Sequence, residues 1–196
     1  MPSLLVTGTK LRELRDIRIA VEGLAAARAA ERIAPEAIAK LRAISTELYA
    51  ARERGDVATD IARQSEFQFG IYNASEMPSL VRIIESLWLR TGPYLKLLFP
   101  AYIQSLKTRR GDWRSRLCAA LKAHDAVAAR REIEADVGEA LEYLATLADA
   151  AGPIRPESSG VNVAPIKRPI GPPAPRTGTG VRARSPVISR GRIDHS

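Results

Sequence analysis

Two glutamines four residues apart, Gln64 and Gln68, lie in the stretch Ala62 to Leu98, ARQSEFQFGIYNASEMPSLVRIIESLWLRTGPYLKLL. Helical i, i+3, i+4, i+7 spacing puts them beside Phe67 and Ile71, so two amides share one stripe with large apolar side chains. A carboxamide donates and accepts hydrogen bonds without carrying charge. Such a pair suits the orientation of a polar ligand; on the residues alone it equally suits the edge of a solvated helix face. The spacings of enzyme sites are missing: there is no G-x-x-x-x-G-K-[ST], no G-x-G-x-x-G after a strand, no G-x-S-x-G and no H-E-x-x-H. With two histidines, one of them His195, a nucleophile and base pair is hard to assemble. The sequence is read as that of a non-enzyme.

The elements that must position the amides follow from periodicity. Leu11, Leu14, Ile17, Val21, Leu24 and Ala25 trace a helix face that Thr9 would cap. Pro35 opens a second helix with Ile38, Leu41, Ile44 and Leu48 inward and Gly55 beyond its end. Asp56 would cap the third, which carries the glutamines. A fourth starts near Pro78, presents Leu80, Ile83, Ile84, Leu87 and Trp88, and is kinked or interrupted at Gly92-Pro93. Tyr94, Leu95, Leu98, Tyr102 and Ile103 continue the apolar pattern to the basic loop Lys107 to Arg110. Asp112 would cap a short helix with Trp113, Leu117, Ala120 and Leu121. Asp125 would cap the last, with Val127, Ile133, Val137, Leu141, Leu144 and Leu147 inward. No alternating strand pattern appears. The expected fold is all-α, an antiparallel bundle of about six helices.

Composition agrees with a helical domain: 196 residues, 45% apolar but only 5% aromatic. A body of about 150 residues buries roughly 68–70% of its unfolded surface and needs no staple. The single Cys118 excludes an intramolecular disulfide and suits a reducing compartment. No apolar run approaches the roughly 20 residues of a membrane span, so a cytoplasmic protein is expected. The net charge of +8 points to nucleic acid until it is divided along the chain. From Gly152 onward there are eight Lys/Arg against two acidic residues, which leaves 22 against 20 for everything before. Basicity belongs to the Pro, Gly and Arg-rich segment 152–196, expected to be a disordered tail. The expected organisation is a leader over 1–9, a ligand-binding helical domain over 10–151, and that tail.

Five stretches in order carry a resemblance: Arg18-x-x-x-Glu22 with the Ala-rich run after it, the helix holding Phe67, NASEMPSL, IESLWLRTGPYL, and LCAALKAHDAVAARREIEADV. Together, over residues 10 to 148, they resemble the FCD domain, the effector-binding C-terminal domain of FadR-type regulators in the GntR family. In that family a winged helix-turn-helix precedes the domain and binds DNA. The resemblance implies a ligand-sensing, dimerising domain without its own DNA reader in this chain, hence no sequence-specific DNA binding by it alone.

The resemblance also implies a site. Many FCD domains hold a divalent metal through an Asp-x-x-x-His pair, a His opening the next-to-last helix and a His in the last helix, with small carboxylates beside the metal. Those positions here are Gln64, Gln68, Arg114 and Asp136, with Trp113 the neighbouring candidate for the third. An amide is a poor ligand for such a metal and a guanidinium repels it. The expectation is therefore a pocket with no metal or other cofactor, binding a small organic effector, a carboxylate, through Arg18, Gln64, Gln68, Arg114 and Asp136. Two plainer readings stand beside it: Arg18 pairs with Glu22 one turn away, and Arg114 pairs with Asp136. The alternative function is a nucleic-acid-associated protein that uses its Arg-rich tail for phosphate contacts. A small helical enzyme is the least favoured reading.

Overall fold

The structure, a computed structural model, describes residues 5–99, 101–103 and 111–155. The basic loop Lys107 to Arg110 and most of the 152–196 segment lie outside the described residues. Among the described residues are six α-helices: α1 Gly8–Ala30, α2 Pro35–Glu53, α3 Val57–Ala74, α4 Pro78–Thr91, α5 Trp113–Lys122 and α6 Ala126–Ala151. A 3-10 helix, Gly92–Leu98, follows α4 directly. Strand structure among the described residues is limited to one isolated antiparallel bridge, Val6 with Ile154, closed by two backbone hydrogen bonds of 3.0 Å. No described helix is long and apolar enough to cross a membrane.

Local chemistry sets the boundaries. Asp56, Asp112 and Asp125 each accept a hydrogen bond from the backbone N–H three residues on, at 3.1, 3.1 and 2.9 Å, which satisfies an orphan donor at the starts of α3, α5 and α6. Pro35 and Pro78 stand at first-turn positions, where a missing N–H costs nothing. Gly55 adopts φ +70, the left-handed turn that ends α2. The cap of α1 is Thr7, not Thr9: the Thr7 hydroxyl accepts from the Lys10 N–H at 3.3 Å, and Thr9 lies inside the first turn. At Gly92-Pro93 the chain does not break; it tightens from α to 3-10, a form short enough to tolerate the lost donor.

The longest pairing is between α1 and α6, which run antiparallel: Gly8 lies against Ala145 and Asp149, and Gly23 against Glu134. A Cβ at Gly8 would sit 2.9 Å from the Ala145 carbonyl oxygen, so the helices meet backbone to backbone there. The inward stripe of α1 is Leu11, Leu14, Arg18, Glu22, Ala25 and Ala29. It lies one step round from the apolar face expected, and Ile17 is left 41% exposed. Two charged residues thus occupy core positions. Ile83 and Val127 are likewise 50% and 78% exposed, because the inward stripes pass through Leu80, Ile84 and Leu87 on α4 and through Ala129, Ile133 and Val137 on α6. His124, in the α5–α6 turn, donates from Nδ1 to the Ala30 carbonyl at 2.7 Å and fastens that turn to the end of α1.

Ile133, fully buried on the α6 stripe, tests this packing. Truncation to alanine removes three carbons and leaves a cavity, so Ile133→Ala is expected to lower the unfolding free energy by about 2–5 kcal/mol in urea titration. A loss under about 0.5 kcal/mol would show that α6 does not pack as described.

Candidate functional site

A cavity of about 60 Å³ lies within the bundle. A single water needs only about 10–15 Å³ of such space, so this one has room for several waters or a small organic molecule. All five residues expected to line a pocket do line it: Arg18 from α1, Gln64 and Gln68 from α3, Arg114 from α5 and Asp136 from α6. Arg52 on α2 and Asp60 on α3 also line it, and much of the rest is apolar, from Leu95, Leu98, Phe99 and Ile103 beyond α4 and from Val137, Leu141 and Leu144 on α6. The tightening at Gly92-Pro93 brings the first group of these residues over the glutamines.

Three guanidinium groups face this space, and they are served unequally. Arg52 donates from Nε and Nη2 to the two oxygens of Asp60 at 2.7 and 3.0 Å. Arg18 is the second. Its Nε and Nη2 donate to the two oxygens of buried Glu22, and its Nη1 donates to the Thr91 hydroxyl at 2.9 Å. The Tyr72 hydroxyl and, at 3.4 Å, the Trp88 indole N–H donate to the same Glu22 carboxylate. Burial pushes the Arg18 guanidinium down, but the charge and hydrogen bonds of Glu22 more than offset it, and the group ends above its ordinary value. Arg18 is therefore paired with Glu22, as the plainer reading had it, inside the core rather than on the surface.

Arg114 differs. It is 2% exposed, and the link to Asp136 runs through an amide: Arg114 Nη2 donates to Gln64 Oε1, while Gln64 Nε2 and Gln68 Nε2 donate to Asp136 Oδ2 at 3.4 and 2.9 Å. Among the described residues, Nε and Nη1 of Arg114 meet no acceptor. Aromatic rings surround the group, with Trp113, Tyr49 and Phe67 centroids 4.5, 5.5 and 5.7 Å from its central carbon. Cation–π attraction offsets part of the desolvation. Burial still pushes the guanidinium below its ordinary value, against the pull of Asp136. Trp113 packs edge-on against Phe67 beneath the arginine and does not line the cavity.

Arg52, Asp60, Tyr72 and Thr91 were not singled out from the sequence. Asp60 had a signal, because Asp60, Gln64 and Gln68 repeat every four residues and extend the polar stripe of α3 by a turn. Cys118 is 1% exposed with its thiol pushed up by burial, and it is not in the cavity wall. The four positions that the family resemblance sets at metal ligands present two amides, one carboxylate and a buried guanidinium. That donor set does not suit a divalent cation. Among the described residues no group of three His, Cys, Asp or Glu side chains comes close enough to hold a metal.

The fold is a helical bundle that encloses a largely apolar cavity with polar groups from α1, α2, α3, α5 and α6. The model of the FCD domain family matches residues 13–151, and the chain belongs to that family. It is 36% identical over 116 residues to the HTH-type transcriptional regulator McbR of Escherichia coli strain K12, across 59% of this chain and 52% of that protein. The solved structure of E. coli McbR/YncC is similar at a TM-score of 0.62 and 32% identity, covering 73% of this chain and 66% of that one. The chain thus spans about half the length of the curated relative it matches.

The Tyr72 phenol is pushed well above its ordinary value, first by burial and then by the adjacent Glu22 carboxylate. A raised phenol stabilises the fold below the unfolded value of about 10 and loses that contribution as pH rises past it, because the unfolded chain ionises first. Thermal unfolding should therefore drop steeply above about pH 10. Tyr72→Phe should lower the unfolding free energy at pH 8 by roughly 1.5–3 kcal/mol, the worth of a hydrogen bond to a charged group, and make the alkaline decline shallower. An unchanged alkaline slope would mean that Tyr72 ionises freely in the fold.

Proposed function

We propose that the chain is the effector-sensing half of a FadR-type regulator of the GntR family, and that its cavity binds a small organic anion, a carboxylate, without a metal. The observation that carries this reading is Arg114, a buried cation at a cavity wall with two donors left without acceptors. Buried charges are retained when something pairs with them, and an effector carboxylate is a partner of the right charge and fork geometry. Gln64, Gln68 and Asp136 hold the rim of that position, and Arg18 closes its α1 side. Binding, orientation and exclusion of water are the tasks this wall supports.

Pairing with a second copy belongs to the same reading. Ile17 on α1 and Ile83 and Leu89 on α4 are 41%, 50% and 70% exposed, apolar area on two neighbouring helices. McbR is an HTH-type transcriptional regulator. The present chain would contribute sensing and self-association to such a protein, in the cytoplasm, and not the sequence-specific contact with DNA.

Thermal-shift measurements on the full chain with short carboxylates, with and without chelator, test the pocket. A carboxylate at about a hundred times its Kd should stabilise by about 2.7 kcal/mol, with chelator making no difference. Arg114→Met should abolish the carboxylate shift and, by leaving buried Asp136 and the Gln64 oxygen without the cation they face, lower the ligand-free stability by about 1–3 kcal/mol. Stabilisation by a divalent metal that chelator reverses would overturn the metal-free site. Light scattering tests the pairing: twice the chain mass of 21.3 kDa is expected, and a strict monomer at high concentration would remove the dimer alone.

A further inference from the structure

Gln64 faces two ways. Its oxygen accepts from Arg114, and its amide nitrogen lies 3.4 Å from Asp136, a longer contact than the 2.9 Å bond that Gln68 makes to the same oxygen. Gln68 is 2% exposed, whereas Gln64 is only half-buried. One glutamine is fixed in the core and the other has room to leave.

We propose that the Gln64 carboxamide is a built-in stand-in for the effector, displaced from Arg114 by a ligand that carries one carboxylate on a short apolar body. The proposal rests on the reading of this cavity as an effector site. An amide oxygen and a carboxylate oxygen have the same planar geometry, so either can accept from Nη2. The carboxylate adds a full charge, and charge-assisted hydrogen bonds are about twice as strong as neutral ones. Its second oxygen also takes a donor that now has no acceptor. Displacement gives up only the weak contact with Asp136, which Gln68 continues to hold, and the freed Gln64 amide is solvated at the half-exposed rim.

The same count of donors fixes the charge of the ligand. Arg18 and Arg52 already hold Glu22 and Asp60 through two nitrogens each. Of the three, Arg114 is the one whose Nε and Nη1 are buried without an acceptor among the described residues. A second carboxylate on the ligand would lie against Leu95, Leu98, Val137 and Leu141, which offer no donor, and a buried ion without a partner is strongly disfavoured. The pocket should accept monocarboxylates and reject dicarboxylates of equal length.

Calorimetry on the full chain with butyrate and hexanoate against succinate and adipate tests this, on the parent and on Gln64→Ala, Gln64→Glu and Arg114→Met. The monocarboxylates should bind at least about tenfold more tightly than the matched diacids, about 1.4 kcal/mol. Gln64→Ala should strengthen monocarboxylate binding by a similar factor. Gln64→Glu should weaken it at least as much, because an internal carboxylate then holds Arg114. Gln64 is half-exposed, and matched circular dichroism of its two variants verifies that both are folded. Diacids binding as tightly as monoacids in an Arg114-dependent way would overturn the single-carboxylate class and leave the effector site standing. Monocarboxylate binding indifferent to Gln64→Glu would overturn the stand-in role. Binding that persists in Arg114→Met, or no binding by any of the four acids, would overturn the effector site itself.

Discussion

Burying a guanidinium in a helical bundle is the constraint around which the interior is arranged. Each of the three arginines at the cavity is removed from much of its water, and each requires compensation from another helix or from its own. Arg52 on α2 takes Asp60 on α3, and Arg18 takes Glu22 one turn along α1. Only Arg114 reaches its carboxylate through a neutral intermediary. The paired arginines hold helices together. The third is surrounded by aromatic rings, donates to one amide, and contributes to the cavity wall.

The Arg18–Glu22 pair has a consequence beyond its own stability. Glu22 receives Tyr72 from α3 and Trp88 from α4, and Arg18 reaches Thr91 at the last residue of α4. Immediately after Thr91 the chain tightens into the 3-10 helix that supplies one wall of the cavity. One buried carboxylate therefore fixes the relative positions of α1, α3 and α4 at the point where the wall begins. Removing it would leave a buried cation, a loss of about 3–5 kcal/mol in comparable cases, and would free the wall as well. On the proposed reading, the helices whose outer faces carry Ile17, Ile83 and Leu89 are tied to the effector cavity through this pair.

Helix existence, order and starts were legible because they are local. A capping Asp, a first-turn Pro and a 3.6-residue stripe each act within a few residues, and Asp56, Pro78, Asp112 and Asp125 act where their types and spacing indicated. Helix rotation was less legible. On α1 two adjacent stripes compete: Ile17, Val21 and Leu24 form the more apolar one, yet the fold buries the other. The reason is packing distance, since the Ala-rich and Gly-bearing stripe allows α6 to approach closely while its charges are met by α3 and α4. That compensation is tertiary and leaves no mark on α1 itself. The pocket residues were identified through family correspondence. Their hydrogen-bond pattern, with an amide between Arg114 and Asp136, depends on side chains from three helices and could not be read from any one of them.

The four positions that the family resemblance associates with a metal still converge in this chain, and the way they do so bears on how a site can change its chemistry while keeping its charge. In the metal-bearing arrangement a cation at the bundle centre attracts a carboxylate, and imidazoles hold the cation. Here Arg114 carries positive charge on a side chain fixed by Trp113, Tyr49 and Phe67. With the charge anchored covalently, the residues on α3 need no longer be metal ligands. They need only be neutral and able to meet both a cation and an anion, which a carboxamide does from its two ends. Gln64 shows both functions, accepting from Arg114 and donating toward Asp136. A guanidinium offers in-plane donors rather than open coordination positions, so on the proposed reading the site would take a planar anion in place of a metal ion.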